Sequence, residues 1–176
     1  MDINYLRSKI RDIPDFPRKG IVFKDITTLL KDPVALSLAV REMKCRCLGN
    51  KLDLIVGIES RGFIFGSILA HELGVGFVPI RKKGKLPAEI KRAEYQLEYG
   101  TDHIEVHEDG IVKGQKVLII DDLLATGGTS AASVKLVESL GGKVVGLGFL
   151  IELSFLNGRK KLDGYDVFSL IQYDSE

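Results

Sequence analysis

Two adjacent carboxylates followed by a glycine-rich, hydroxyl-bearing turn are the residues of this chain best suited to hold a small charged substrate. They lie in VLIIDDLLATGGTS, residues 117–130. Ala125, Thr126, Gly127, Gly128 and Thr129 can offer successive main-chain N–H groups to a phosphate, helped by the threonine hydroxyls and the positive end of the helix that follows. Asp121 and Asp122 repel a phosphate, but they accept hydrogen bonds from vicinal ribose hydroxyls and can organise Mg²⁺ through water. A sugar phosphate satisfies both halves. The plainer reading, acids as turn formers and Gly-Gly as a tight helix entry, leaves the length of the motif unexplained. The glycine patterns of triphosphate loops and dinucleotide folds are missing.

Such a turn needs a strand before it and a helix after it. Gln115 to Ile120 reads as an apolar strand ending in Asp121-Asp122, with Thr129 or Ser130 capping a helix to Leu140 and Gly141-Gly142 leading to a strand from Lys143 to Ile151. An earlier unit has the same order: strand Leu52 to Ile58, turn Glu59-Ser60-Arg61-Gly62, helix Phe63 to Leu73, closing Gly74, strand Gly76 to Ile80. Further upstream, Ile3, Leu6, Ile10 and Ile13 have helical spacing that Pro14 and Pro17 end, and an irregular segment runs from Phe16 to Thr28. Asp32 and Pro33 then open a helix running to about Leu48. Residues 82–98 are charged, contain Gly84 and Pro87, and read as an exposed, mobile loop. The alternation predicts an α/β fold, a parallel sheet flanked by helices with its ligand at the carboxyl ends of the strands.

With 176 residues, 45 % hydrophobic, the chain suits one domain over 1–176. A formal charge of +1 gives no general field toward nucleic acid or anionic lipid, so neither is an expected partner. Cys45 and Cys47, two apart in a helix, face different ways and are expected to be reduced thiols. His71, His103 and His107 are too dispersed for a transition-metal site. Met1 to Arg11 has no apolar signal core, and no apolar run nears the roughly 20 residues that span a bilayer. A cytoplasmic protein is expected.

The loop at 117–130 resembles the phosphoribosyl pyrophosphate signature of the type I phosphoribosyltransferases. FPRKGIVFKDIT (16–27), GIESRGFIFG (57–66), RKKGKLP (81–87), YQLEYGTDHIEVHEDG (95–110) and IELSFLNGR (151–159) narrow the resemblance to the adenine phosphoribosyltransferases, over about 16–173. Lys19 stands where many members have proline and Gly110 where alanine is frequent, neither a position of chemistry. The resemblance implies the type I fold, with a small hood built from the N-terminal segment and the C-terminal region. It implies transfer of the 5-phosphoribosyl group from phosphoribosyl pyrophosphate to N9 of adenine, giving AMP and pyrophosphate with Mg²⁺ in purine salvage, by a homodimer.

By the same resemblance, Asp121, Asp122 and residues 125–129 hold the ribose and its phosphate. Glu59, Ser60 and Arg61 hold pyrophosphate with main-chain amides and a guanidinium, whose donors fork onto phosphate oxygens. Arg81, Lys82 and Lys85 add positive charge, some of it across to the neighbouring subunit, on a flexible catalytic loop at about 82–98 that closes to exclude water. Catalysis is expected of Glu98, Arg61 and Lys85. Glu98 is the acid, a protonated carboxyl donating to adenine N7, and therefore needs a raised pKa. Val22, Phe23, Lys24, Tyr99 and Leu153 line the adenine site, with the main chain at Val22 and Lys24 reading the 6-amino group and ring nitrogens. Mg²⁺ is expected to have no direct protein ligand, arriving with the substrate and meeting Asp121 and Asp122 through water. Two alternatives remain: transfer to another purine such as xanthine or hypoxanthine, or a non-catalytic regulator that senses phosphoribosyl pyrophosphate.

Overall fold

A computed structural model describes residues 3–47, 49, 51–96 and 101–175. At the N-terminus, α1 (Ile3–Ser8) gives way to a short antiparallel pair, β1 (Arg11–Ile13) and β2 (Phe23–Asp25). The helix predicted over 3–13 is therefore half its expected length. Arg11 turns out of it because its guanidinium reaches Asp25, with Nη2 2.5 Å from Oδ2. The segment expected to be irregular holds β2 and a single turn of helix, α2 (Thr27–Leu30).

Helix α3 (Pro33–Cys47) begins as its sequence predicts. Oδ1 of Asp32 accepts the N–H of Val34 at 3.0 Å and of Ala35 at 3.1 Å, and Pro33 fills the first position, where no N–H is needed. Ala35, Ala39, Val40, Met43 and Cys47 form its buried stripe. Cys45 is exposed, while burial pushes the Cys47 thiol up to about 11.

The central unit is β3 (Leu54–Ile58), α4 (Gly62–Leu73) and β4 (Gly76–Lys82), followed by a hairpin of β5 (Ile90–Gln96) and β6 (Thr101–His107). The second unit is β7 (Lys116–Leu124), α5 (Gly128–Ser139) and β8 (Lys143–Leu153), closed by two 3-10 turns and β9 (Val167–Tyr173). Seven strands join in the order β5-β6-β4-β3-β7-β8-β9, parallel from β4 to β9, with the hairpin antiparallel at one edge. Helices α3 and α4 cover one face with Leu69, Phe65 and Met43. Helix α5 covers the other with Val134, Leu136 and Val137.

From β3 the chain crosses to β4 on one side, and from β7 to β8 on the other. Two right-handed crossovers running in opposite directions put their helices on opposite faces and leave a crevice between β3 and β7. Every residue of β3 is buried. Burying a side chain such as Ile55 or Ile119 stabilises by about 1.5–3 kcal/mol, against about 0–1 kcal/mol for an exposed ion pair. The strands that carry the crevice are therefore its firmest support.

Two expectations change here. Residues 82–98 are not one loop, because Ile90–Gln96 pairs along its length with Thr101–His107 and Tyr95 is buried against the α5 side of the sheet. Lys91, Arg92 and Glu94 conceal this strand among charges. Likewise β7 runs on past Asp121-Asp122, where the sequence pattern ends it, to Leu124.

Candidate active site

The carboxyl ends of β3, β4, β7 and β8 converge, and with them most of the residues picked out by sequence. After β7, Gly127 adopts φ 74° and serves as the N-cap of α5, with no side chain capping the helix. Thr129 and Ser130, expected as caps, lie inside its first turn. The N–H groups of Gly127, Gly128 and Thr129 donate to no acceptor among the described residues, while Ala131 N–H already bonds Gly127 O at 3.0 Å. Left-handed N-cap plus open helix terminus makes an anion nest. A Cβ on Gly127 would overlap Gly158 O, and one on Gly158 would overlap Ala125 O, so the turn before β9 backs this loop at main-chain distance.

Asp122 is buried and Asp121 partly so. Oδ1 of Asp121 accepts the N–H of Asp122 at 2.9 Å. Burial, then the charge of Asp122, pushes the Asp121 carboxyl well above the usual range. Burial also raises Asp122, while Arg61 pulls it back. Nε of Arg61 is 3.0 Å from Asp122 Oδ2 yet is not aimed for a hydrogen bond, and Oδ2 has no other partner among the described residues. A buried oxygen of that kind suits a donor from outside the chain, such as a ribose hydroxyl or metal-bound water.

The Glu59-Ser60-Arg61 turn leads from β3 into α4, and it is pressed against β7. A Cβ on Gly62 would lie 2.7 Å from Ile120 O and 2.9 Å from Asp121 Oδ1, so only glycine lets the two turns approach. The N–H groups of Ser60 and Arg61 donate to no acceptor among the described residues, but that of Glu59 is spent on Ile80 O at 2.9 Å. The expectation that Glu59 offers its amide to pyrophosphate is thereby corrected. Its carboxylate instead gathers the basic residues: Lys85 Nζ at 2.5 Å, Arg81 Nε at 3.3 Å and Lys82 N–H at 3.0 Å. Burial works to raise the Glu59 carboxyl, and these donors, Lys85 first, bring it down to about 2. The Lys82 side chain points elsewhere, its Nζ 3.7 Å from Asp102 Oδ2.

Above the crevice lies the β1-β2 pair. Lys24 is buried with Nζ 2.9 Å from Asp12 Oδ1 and 4.4 Å from the Tyr173 ring centre, so of this residue only the main chain is left for a ligand. Phe23 meets Phe16 edge-on at 5.2 Å and the Arg61 guanidinium at 5.1 Å. Val22 precedes this strand, and Leu153 ends β8 opposite Tyr173. The C-terminal part of the hood is this Tyr173 end, where Arg7 Nη2 also bonds Gln172 O at 2.8 Å. Glu98 and Tyr99 lie outside the described residues, in the connection between β5 and β6.

Residues 33–175 match the phosphoribosyl transferase domain model. Adenine phosphoribosyltransferase of Thermoanaerobacter pseudethanolicus is 58% identical over 173 residues, covering 98% of this chain and 100% of the relative. The chain belongs to the adenine phosphoribosyltransferases. The crystal structure from that organism superposes with a TM-score of 0.95, covering 97% of this chain and 99% of the other at 58% identity. The enzyme of Saccharomyces cerevisiae, complexed with an imino-altritol bisphosphate and adenine, superposes at 0.90 with 42% identity, covering 96% and 97%. The parallel sheet flanked by helices is the type I phosphoribosyltransferase fold.

Several residues that shape this site carry no signal in sequence. Glu105, fully buried on β6, accepts the Gly84 N–H at 2.9 Å and binds Arg92, fixing the turn before Lys85. Glu152 holds Arg159 (Nε at 2.9 Å) and Ser169 (2.7 Å), pinning the segment that brings Gly158 behind the phosphate loop. Tyr95 donates to Asp102 Oδ2 at 3.1 Å, and Thr129 and Asp121 lie near enough to act on its phenol, which joins the hairpin to the phosphate loop. The pairs are separated by 7 to 21 positions in sequence. The stretches 81–87, 95–110 and 151–159 contain several of these residues, but nothing local marks which acid meets which partner.

Proposed function

We propose that this adenine phosphoribosyltransferase breaks the C1–O bond of phosphoribosyl pyrophosphate and forms the C1–N9 bond to adenine, releasing pyrophosphate and AMP in purine salvage. The observation that carries this reading is the convergence, at the carboxyl end of the central strands, of an anion nest, a carboxylate pair with a buried oxygen unpartnered among the described residues, and an arginine turn beneath an aromatic strand.

Residues 125–129 hold the 5-phosphate, and Asp121 and Asp122 accept from the ribose hydroxyls. As C1 takes on oxocarbenium character, Arg61, Arg81 and Lys85, with the N–H groups of Ser60 and Arg61, neutralise the departing pyrophosphate. Phe23, Leu153 and Tyr99 hold the flat purine, with the main chain at Val22 and Lys24 reading its edge, and Glu98, as a protonated carboxyl, donates a hydrogen bond to N7 while the proton of N9 leaves with the products. The connection between β4 and β5, which carries Lys85, closes over the reacting sugar and keeps water out.

Mg²⁺ fits this donor set. The Asp121 and Asp122 carboxylates are hard oxygen donors, and no three His, Cys, Asp or Glu side chains among the described residues form a cage of their own. Asp121 and Asp122 would hold the ion through water, and when bound it would neutralise charge on the pyrophosphate. The reading includes a homodimer, with some of the loop's cations acting across to the partner, in the cytoplasm. No helix of the described residues is long and apolar enough to cross a membrane.

The test is pyrophosphate release by purified protein given phosphoribosyl pyrophosphate and Mg²⁺ with adenine, hypoxanthine, guanine or xanthine in separate reactions. Turnover is expected with adenine alone. Turnover with a 6-oxo purine instead would overturn the base site and leave the phosphate site standing, and none with any base would favour a regulator that only senses the sugar phosphate.

A further inference from the structure

The turn that backs the phosphate loop is held by a buried acid with no part in the chemistry. Glu152, 4% exposed near the end of β8, accepts from Arg159 through Nε at 2.9 Å and Nη2 at 2.5 Å, and from Ser169 Oγ at 2.7 Å. Nη1 of Arg159 donates to Val167 O at 2.6 Å, so all three nitrogens of the guanidinium are engaged and its plane is fixed against β8 and β9. The residue before it, Gly158, meets the phosphate loop at main-chain distance: a Cβ there would overlap Ala125 O and lie 2.9 Å from Gly127 N. Glu152 also reaches that loop through its own main chain, which pairs in register with Leu124, the residue before Ala125. One residue thus ties the start of the loop to the turn packed behind it.

A buried ion pair is a poor source of stability, because desolvation offsets much of the attraction. The turn already has an apolar anchor in Leu162, which is buried in one cluster with Val134 and Leu136 of α5. What the pair adds is direction, a forked contact that fixes where Gly158 stands. Because the Glu152 charge is met by Arg159, it supplies position to the nest and no counter-charge. We propose that Glu152 and Arg159 are positioning residues for the 5-phosphate: their pair keeps Gly158 against Ala125 and Gly127 and so holds the N–H groups of the loop convergent on the anion. The inference rests on the assignment of residues 125–129 to the 5-phosphate.

Isothermal titration calorimetry on the intact protein tests this, with ribose 5-phosphate and, separately, inorganic pyrophosphate with Mg²⁺ as the probes. In Arg159→Lys the charge beside Glu152 is kept, but an ammonium cannot fork onto the carboxylate and reach Val167 O together. Kd for ribose 5-phosphate is expected to rise by about tenfold, with Kd for pyrophosphate within about twofold of wild type. Glu152→Gln, which approaches the pair from its other side, is expected to show the same selective loss. Since the two residues act through one contact, the double variant should bind ribose 5-phosphate within about twofold of the weaker single variant. Losses that multiply in the double variant, or an equal loss for both probes, would reduce the pair to general support of the fold and overturn the inference. Unchanged ribose 5-phosphate binding in both single variants also overturns it, and leaves the loop assigned as long as Gly127→Ala weakens that probe. If Gly127→Ala leaves the probe untouched as well, the assignment of the loop fails, and the inference with it.

Discussion

At the end of β7, residues 125–129 offer an anion main-chain N–H groups and two hydroxyls, and no lysine or arginine. At the ends of β3 and β4, Arg61, Arg81 and Lys85 offer one full charges. The first region is shaped by the backbone itself, through Gly127 at φ 74° and the close approach of Gly158. The second is shaped by acids: Asp122 beside Arg61, Glu59 under Arg81 and Lys85, Glu105 under Gly84. Backbone donors in a rigid nest need no counter-charge, whereas several cations at the edge of one crevice repel one another unless carboxylates hold them. A phosphate that stays bound through the reaction suits the first kind of site. A leaving group that must be gripped and then let go suits the second.

The largest expected effect should spare both anion regions. Glu98→Ala is expected to lower kcat with adenine by about 10²–10⁴-fold, the usual worth of a general acid, while Kd for phosphoribosyl pyrophosphate stays within about twofold. Single-turnover kinetics beside equilibrium binding of the sugar phosphate measure the two separately. A collapse of that binding would move Glu98 into one of the anion regions and undo the separation drawn above.

Gly127→Ala strikes the backbone-built region alone. A Cβ there meets Gly158 O at overlap distance, at a φ that alanine adopts only with strain. The expected result is a rise of about 100-fold in KM for phosphoribosyl pyrophosphate, roughly 2.7 kcal/mol of lost binding, with adenine binding to the free protein unchanged. A base-side defect with an intact KM for the sugar phosphate would show that the nest does not hold the 5-phosphate.

This contrast also explains what the sequence could reveal. Asp121 to Thr129 is contiguous, and each residue type there states its backbone role, so strand, turn and helix were readable to within a few residues. The β3-α4-β4 unit was equally plain, because buried parallel strands are nearly all apolar and Gly74 marks a helix end. Arg11–Ile13 was misread because its apolar spacing continues that of α1, while its partner, Phe23–Asp25, lies a loop away. Strand β5 was misread because one of its faces carries charges such as Arg92, whose partner Glu105 is 13 positions away. Glu59 was assigned to pyrophosphate because it adjoins Arg61, although its neighbours in space are Arg81 and Lys85. Local chemistry is written locally, but an acid that organises distant cations becomes visible only when the sheet brings them together.

The smallest effect expected is a pH-dependent one, and its sign separates Glu59 from the Asp121-Asp122 pair. The Glu59 carboxyl is held at about 2 against an ordinary 4.5, so its pairing stabilises the fold fully above the unfolded value. That contribution is lost as pH falls from about 4.5 toward 2. Asp121 and Asp122 shift upward through burial, so their ionisation weakens the fold as pH rises above the carboxylate range. Glu59→Gln removes the first dependence and keeps the second, which cancels when the two proteins are compared. Since Lys85 is 47% exposed, water screens part of the pair, and the wild-type advantage near neutral pH should be only about 1–2 kcal/mol. Urea unfolding of both proteins between about pH 7 and pH 3 should show that advantage at least halved at the acid end. A difference that does not change with pH would mean that Glu59 supports the turn by its shape and main-chain contacts rather than by its charge. The pyrophosphate region would then be backbone-built like its neighbour, with its cations free to reach a ligand without first leaving a carboxylate.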